Sequence, residues 1–135
     1  MNNQIFVNLA VKDLEKTKKF FTEIGYTFNP QFTDANAACL VIKKDSIYAM
    51  LLTEAFMKTF LTKELADSTK VTETIVALSC DSKEEVDRMS NSIVKAGGRE
   101  HKPKTDMGFM YSCSMMDLDG HIWEYVWMDP KSLQN

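Results

Sequence analysis

The sequence lacks the features that direct a chain into a membrane, onto nucleic acid or out of the cell. No apolar stretch approaches the roughly 20 residues that a helix needs to cross a bilayer. The net charge is −3 and no basic stripe runs along the chain, so neither nucleic acid nor a membrane is an expected partner. Residues 1–13 show no signal peptide, because they have no basic leader and Asn8 interrupts their apolar run. These absences predict a soluble, cytoplasmic protein.

Cysteine is also scarce. The three cysteines are Cys39, Cys80 and Cys113, and each lies in an apolar, strand-like run. Their odd number and wide spacing predict buried, reduced thiols rather than a disulfide framework. Apolar residues make up 44% of the 135 positions and charged residues 26%, which is ordinary for a globular protein. A chain of this length fits one domain and can bury a core without disulfides.

The first half of the chain predicts a strand followed at once by a helix. Residues 5–11 alternate between two faces, with Phe6, Asn8 and Ala10 sharing one of them. Asp13 is a good N-cap, and apolar residues then repeat at helical spacing until Gly25 ends the helix. Extended segments are expected next, at residues 27–32, 37–42 and 47–52.

The second half repeats this order. Residues 74–80 predict a strand, and the segment from Ser82 to Glu85 has the pattern of a capping box before a helix that ends at Gly97. Extended segments are again expected, at residues 99–102, 108–116 and 121–127, with a turn at 117–120. The chain therefore predicts an α+β fold built from two βαβββ modules.

We expect one domain over residues 1–135. Its parts are the first module at 1–52, a helical insert and linker at 53–72, the second module at 73–128 and a tail at 129–135. The insert carries an apolar stripe that includes Phe56, Phe60 and Leu65, which predicts an amphipathic helix packed on a sheet rather than a lid or a partner-binding helix.

The closing strand contains the residue that most needs an explanation. Glu124 stands in the run Asp-Leu-Asp-Gly-His-Ile-Trp-Glu-Tyr-Val, residues 117–126, among aliphatic and aromatic neighbours. A carboxylate in such a place requires a partner, a proton or a metal. Glu124 is therefore the candidate catalytic residue, as a general base or as an anchor for a ligand. The alternative is a structural strut that is hydrogen-bonded to Asn8, Tyr48 or backbone amides.

The paired modules, the segment at residues 7–14 with Phe20-Phe21 and Ile24-Gly25, and the closing segment at 117–124 resemble the vicinal oxygen chelate superfamily. This superfamily includes glyoxalase I, extradiol dioxygenases, and the fosfomycin and bleomycin resistance proteins. The resemblance implies that each module curls a mixed sheet into half of a cup. It also implies a small-molecule ligand or substrate and a homodimer.

The resemblance also implies where a metal would be held. Carried over to this sequence, the four ligand positions fall at Phe6, Met50, Ile75 and Glu124, and an error of one residue would replace Ile75 by Thr74. Only Glu124 suits a hard divalent cation, whereas a catalytic zinc normally has three protein ligands. No metal or other cofactor is therefore expected, and a divalent metal at Glu124 is the alternative.

The remaining site residues follow from an assumed strand register. If Met116 paired with His121, Cys113 would lie opposite Glu124 and Tyr111 opposite Val126. The predicted ligand-binding residues of the cup are Phe6, Asn8, Tyr48, Met50, Ile75, Ser79, Tyr111, Cys113 and Glu124. Cys113 is expected to be a buried structural thiol rather than a nucleophile. His121 is expected to point away from the cup, and His101 to face solvent on an exposed edge.

Three functions are compatible with these residues. The preferred one is binding of a small, partly apolar molecule around Glu124 without the family metal. The second is a glyoxalase-like lyase, isomerase or dioxygenase that uses Glu124 as a base or metal ligand, and the third is a non-catalytic scaffold.

Overall fold

The computed structural model describes residues 3–133, which form two compact units that divide between Ala66 and Asp67. Each unit contains one βαβββ module with a four-stranded mixed sheet. The prediction of an α+β fold with two such modules is confirmed. No helix among the described residues is long and apolar enough to span a bilayer.

The first unit follows the predicted order of elements. They are β1 (Ile5–Val11), α1 (Leu14–Glu23), β2 (Thr27–Asn29), β3 (Ala37–Lys43), β4 (Ile47–Thr53) and α2 (Glu54–Lys58). Asp13 caps α1 as predicted, because its carboxylate accepts a hydrogen bond from the backbone N–H of Lys16 at 3.1 Å. Beyond the end of this helix, Gly25 adopts a φ of +107°, which favours glycine.

The strand order of the first sheet is β1-β4-β3-β2, so β1 and β2 form its edges. The parallel pair of β1 and β4 places Phe6 beside Tyr48 and Asn8 beside Met50. Because paired residues share a face, the predicted grouping of these four side chains is confirmed. The alternate face carries Leu9 and Leu51, both of which are buried in the core.

Two predictions for this unit were too long. The extended segment expected at 27–32 is a strand only to Asn29, and Pro30–Phe32 forms a short 3-10 helix. Pro30 has no backbone N–H and so cannot donate a hydrogen bond to a neighbouring strand. The helix expected in the insert covers only Glu54–Lys58. Phe60 lies beyond it, 65% exposed, with its ring edge-on to Phe56.

The second unit contains β5 (Ile75–Ser79), α3 (Lys83–Lys95), β6 (Arg99–Asp106), β7 (Met110–Met116), β8 (Ile122–Met128) and a terminal 3-10 helix (Pro130–Leu133). The predicted cap of α3 is confirmed, because the Ser82 hydroxyl accepts a hydrogen bond from the Glu85 N–H at 3.1 Å. The strand order is β5-β8-β7-β6, which makes β8 a central strand.

Helix α3 covers one face of the second sheet. Cys113 on β7 lies 3.9 Å from the carbonyl of Val86, and Ser90 lies 3.6 Å from the sulfur of Met115. The side chains of β7 at 111, 113 and 115 therefore face α3. The opposite side of the sheet is called the far face below, and it carries the residues at 112, 114 and 116.

Candidate functional site

Glu124 lies on the far face of the second sheet. The parallel pair of β5 and β8 places Ala77 beside Glu124, with Ile75 beside Ile122 and Ser79 beside Val126. Glu124 is half-buried, and its neighbours on this face are mainly apolar. The predicted grouping of Ile75, Ser79 and Glu124 on one face is confirmed.

The carboxylate of Glu124 lacks a polar partner within residues 3–133. No hydrogen bond or ion pair joins it to any of these residues. The two side chains suggested as its partners make other bonds, since Asn8 donates to the carbonyl of Phe6 at 3.1 Å and the Tyr48 hydroxyl accepts from the Asp45 N–H at 2.9 Å. The described residues therefore give no support to the structural-strut hypothesis.

The assumed register between β7 and β8 was wrong by one residue. Met116 pairs with Ile122, which puts Ser114 opposite Glu124 and Cys113 opposite Tyr125. Tyr111 likewise lies opposite Trp127 rather than Val126. Because a shift of one residue moves every side chain to the other face, Tyr111 and Cys113 face α3 and do not share the face of Glu124.

Asp117 explains the register and was missed as a structural residue. Its carboxylate accepts hydrogen bonds from the backbone N–H groups of Asp119 and His121, each at 3.0 Å, and from the indole N–H of Trp123 at 2.9 Å. The N–H of Asp117 also donates to the carbonyl of His121, so these two residues close the hairpin. Burial raises the pKa of Asp117, while the charge of His121 and the indole hydrogen bond lower it. The Asp-x-Asp-Gly pattern was the signal for such a turn.

Tyr111 belongs to an ion network at the helix side of the sheet. Its hydroxyl donates to the Asp87 carboxylate at 2.6 Å, and the Lys104 ammonium donates to the same oxygen at 2.5 Å. The hydrogen bonds from Lys104 and Tyr111 lower the pKa of Asp87, and the bond to Asp87 raises the pKa values of both partners. This network links α3 to β6 and β7, so Tyr111 has a structural role on the side opposite Glu124.

The three cysteines are buried, free thiols, as predicted. Burial raises the pKa values of Cys39 and Cys113. Burial, together with the neighbouring Glu85, raises the pKa of Cys80 to about 12. A thiol in this state forms little thiolate, and Cys113 is not suited to act as a nucleophile.

His101 and Ser114 extend the polar part of the far face. His101 lies in a bulge of β6 between Glu100 and Lys102, and its Nδ1 atom is 3.0 Å from the hydroxyl of Ser114. Ser114 is itself the cross-strand partner of Glu124. His101 is exposed as expected, but its imidazole is bonded to the sheet rather than free in solvent. The bulge, which the sequence did not reveal, allows this contact.

The predicted ligand-binding residues of the first unit lie together on their own sheet. The rings of Phe6 and Tyr48 are stacked, with centroids 4.8 Å apart and planes 9° from parallel. Tyr48 is buried, Met50 is half-buried, and Phe6 and Asn8 are exposed. The contact of Phe6, Asn8, Tyr48 and Met50 with a ligand stays a prediction.

The side chains at the positions implied for a metal do not fit a divalent cation. Phe6 offers a phenyl ring, Ile75 an aliphatic chain and Met50 a thioether, so Glu124 is the only hard oxygen donor of the four. Among the described residues, no group of three or more histidine, cysteine, aspartate or glutamate side chains is arranged to hold a metal.

Comparison with known proteins agrees with the fold. A family model described as bleomycin resistance protein-like N-terminal matches residues 4–43. A hypothetical protein from S. aureus is 27% identical, with 92% of each chain covered and a TM-score of 0.78. A glyoxalase-related enzyme from Fulvimarina pelagi is 20% identical, covering 92% of this chain and 87% of that one, with a TM-score of 0.78. No curated protein matches the sequence.

The fosfomycin resistance protein FosX from Listeria monocytogenes has the same fold. It is 21% identical, with 96% of each chain covered and a TM-score of 0.68. A mutant of that protein was crystallised in complex with Mn(II) and a dihydroxypropylphosphonic acid. The resemblance to the vicinal oxygen chelate superfamily is thus confirmed. The chain has the fold of these glyoxalase-related and fosfomycin resistance proteins, and its residues 4–43 match the bleomycin resistance protein-like family model.

Proposed function

We propose that this protein binds a small, partly apolar molecule on the far face of the second sheet, around Glu124, without the metal ion of the metal-dependent members. The main support for this proposal is that Glu124 is half-buried on a face it shares with Ile122, Val126 and Ala77, and that its carboxylate has no polar partner among the described residues. A carboxylate in such surroundings gains most from a ligand that supplies the missing hydrogen bond.

Two further observations support binding rather than metal catalysis. The far face combines apolar side chains with a few directed polar groups, which is the usual composition of a small-molecule site. The metal positions carried over from the resemblance hold Phe6, Met50 and Ile75, which have no hard donor. The likeness of residues 4–43 to bleomycin resistance proteins is consistent with a binding role.

A thermal-shift screen of small apolar and amphipathic molecules tests this function. A ligand of the native state raises the apparent stability, and the shift grows with the logarithm of its concentration. We expect the shift to be lost in Glu124→Gln and kept in Glu64→Gln, whose side chain is exposed in the first unit. A shift that survives Glu124→Gln unchanged contradicts a site at Glu124.

Elemental analysis after incubation with Zn²⁺, Ni²⁺, Mn²⁺ and Fe²⁺ tests the absence of a metal. We expect less than stoichiometric metal after dialysis. Tight, stoichiometric metal that disappears in Glu124→Gln would overturn the metal-free proposal and favour the alternative of a metal-dependent lyase or dioxygenase.

The second candidate is proton transfer by Glu124 in a lyase or isomerase. It is favoured by the same unpaired carboxylate, which is free to accept a proton from a bound carbon acid. Exchange of a substrate C–H for deuterium in D₂O, followed by NMR, would detect this activity and should be absent in Glu124→Gln. The absence of exchange for every ligand found in the thermal screen would leave binding as the function.

A further inference from the structure

We propose that His101 and Ser114 belong to the same site as Glu124 and that this row binds a small zwitterion, an α-amino acid with an apolar side chain. The ammonium group would lie at Glu124 and the carboxylate at His101. This inference rests on the proposed function, since it names the class of ligand for the same sheet face.

The three side chains form a row across adjacent strands. Glu124 on β8 pairs with Ser114 on β7, and Ser114 pairs with Lys102 on β6. His101, in the bulge beside Lys102, reaches back to the Ser114 hydroxyl at 3.0 Å. Because neighbouring strands are about 5 Å apart, the row spans roughly 10 Å between the outer strands.

The β8 end of the row favours a cation with N–H donors. Glu124 is half-buried, and within residues 3–133 no lysine, arginine or histidine is paired with its carboxylate. Hydrogen bonds between an ammonium group and a carboxylate are about twice as strong as neutral ones. A protonated amine is therefore the ligand group that compensates this carboxylate best.

The β6 end of the row favours an anion. Arg99 pairs with Met116 and Lys102 with Ser114, so both cationic side chains start on the far face, where they are exposed and unpaired among the described carboxylates. When the Ser114 hydroxyl donates to Nδ1 of His101, the proton of the neutral imidazole is on Nε2, which can donate to a ligand oxygen. A carboxylate suits these three groups.

An α-amino acid carries its ammonium group, its carboxylate and its apolar side chain on the same carbon atom. Each charged group needs a hydrogen bond of about 3 Å, which lets a compact zwitterion bridge the two ends of the row. The apolar part can then lie on Ala77 and Ile75, the latter 50% exposed.

Three matched probes test this inference: phenylalanine, 2-phenylethylamine, which lacks the carboxylate, and 3-phenylpropionate, which lacks the ammonium group. Binding is monitored through the amide NMR shifts of Ser114 and Glu124. Titration of these shifts gives the dissociation constant of each probe. We expect phenylalanine to bind at least about tenfold more tightly than either one-charge probe, the size expected for one charged hydrogen bond.

Variants separate the two ends of the row. Glu124→Gln should weaken phenylalanine and 2-phenylethylamine but not 3-phenylpropionate, whereas His101→Gln should weaken phenylalanine and 3-phenylpropionate but not 2-phenylethylamine. Ser114→Ala, which removes one oxygen, should act like His101→Gln. The exposed Glu64→Gln is the control for unspecific effects and should weaken none of the probes.

The outcomes also separate this inference from the proposed function. Equal binding of all three probes on the far face, or equal weakening of all three by both site variants, overturns the zwitterion and leaves small-molecule binding intact. If no probe perturbs Ser114 or Glu124 up to its solubility limit, the inference is overturned. If in addition no molecule of the thermal screen binds, the proposed function is overturned with it.

Discussion

At the scale of single residues, we expect Glu124 to weaken the fold that holds it. A carboxylate beside Ile122 and Val126 loses part of its hydration without gaining a partner among the described residues. Residues kept for binding commonly lower stability in this way. This is the effect on stability that the proposed ligand-binding role of Glu124 predicts.

Replacing Glu124 by methionine should stabilise the protein. Methionine keeps the length of the side chain and removes its charge, so we expect the free energy of unfolding to rise by about 1 kcal/mol in urea titrations. Glu64→Met, on an exposed position, should stay within about 0.5 kcal/mol of the unmodified protein. A loss of stability in Glu124→Met would mean that the carboxylate has a structural partner.

Asp117 has the opposite role and should be required for stability. Asp117→Ala would remove the carboxylate that accepts from the backbone N–H groups of Asp119 and His121 and from the indole N–H of Trp123 in a buried turn. We expect a loss of about 3 kcal/mol in the free energy of unfolding, because three hydrogen bonds to one charged acceptor are lost and the turn can relax in part. Asp81→Ala, on an exposed residue, is the control. A loss below about 1 kcal/mol would contradict this account of the hairpin.

At the scale of the elements, Gly120 is fixed by its contact with the linker. Its φ is +84°, and a Cβ atom there would lie 2.7 Å from the carbonyl oxygen of Ser68. Gly108 provides a matched comparison, since its φ is +81° and a Cβ atom would meet nothing within 4 Å.

Gly120→Ala should therefore destabilise the protein by about 3 kcal/mol and Gly108→Ala by about 1 kcal/mol. The difference measures the steric contact alone, because the backbone strain is similar. Both values follow from urea unfolding curves. Equal losses in the two variants would show that the linker moves away at no cost.

The network of Asp87, Tyr111 and Lys104 should give α3 a pH-dependent tether. Hydrogen bonds from Lys104 and Tyr111 lower the pKa of Asp87 from its ordinary value of 3.8, so its contribution is present above that value and is lost as the pH falls through the lower folded value. We expect Asp87→Asn to lower the melting temperature at pH 7 and to match the unmodified protein in strong acid. The melting temperature of the control Asp81→Asn should differ little from that of the unmodified protein at any pH. A difference between Asp87→Asn and the unmodified protein that is the same at every pH would contradict the tether.

Element boundaries could be predicted wherever one local signal decides them. Asp13 and Ser82 cap their helices as expected, because a cap depends only on a side chain and the amide three residues later. The register of β7 and β8 could not be predicted, since it depends on which residues Asp117 holds within the turn. The same register places Ser114 on the face of Glu124 and Cys113 on the opposite face.

At the scale of the whole molecule, we predict a homodimer. The edge strands β1 and β5 carry Ile5, Phe6 and Ile75, which are 54%, 45% and 50% exposed. Apolar edge strands favour pairing with another chain. Sedimentation should give a species of twice 15.4 kDa. Ile5→Lys should weaken the dimer more than the control Val71→Lys does, because Val71 lies outside any strand. A monomer at every concentration would refute the dimer.

The sequence by itself determined the order of elements, the two-module fold, the caps of both long helices and the position of Glu124 among apolar neighbours. These features depend on periodicity and on contacts between residues close in the chain. Only the tertiary structure decided that Ser114 and His101, rather than Tyr111 and Cys113, share the face of Glu124. The reason is that a turn and a bulge each shift the pairing by one residue, and one residue is the whole difference between the two faces of a sheet.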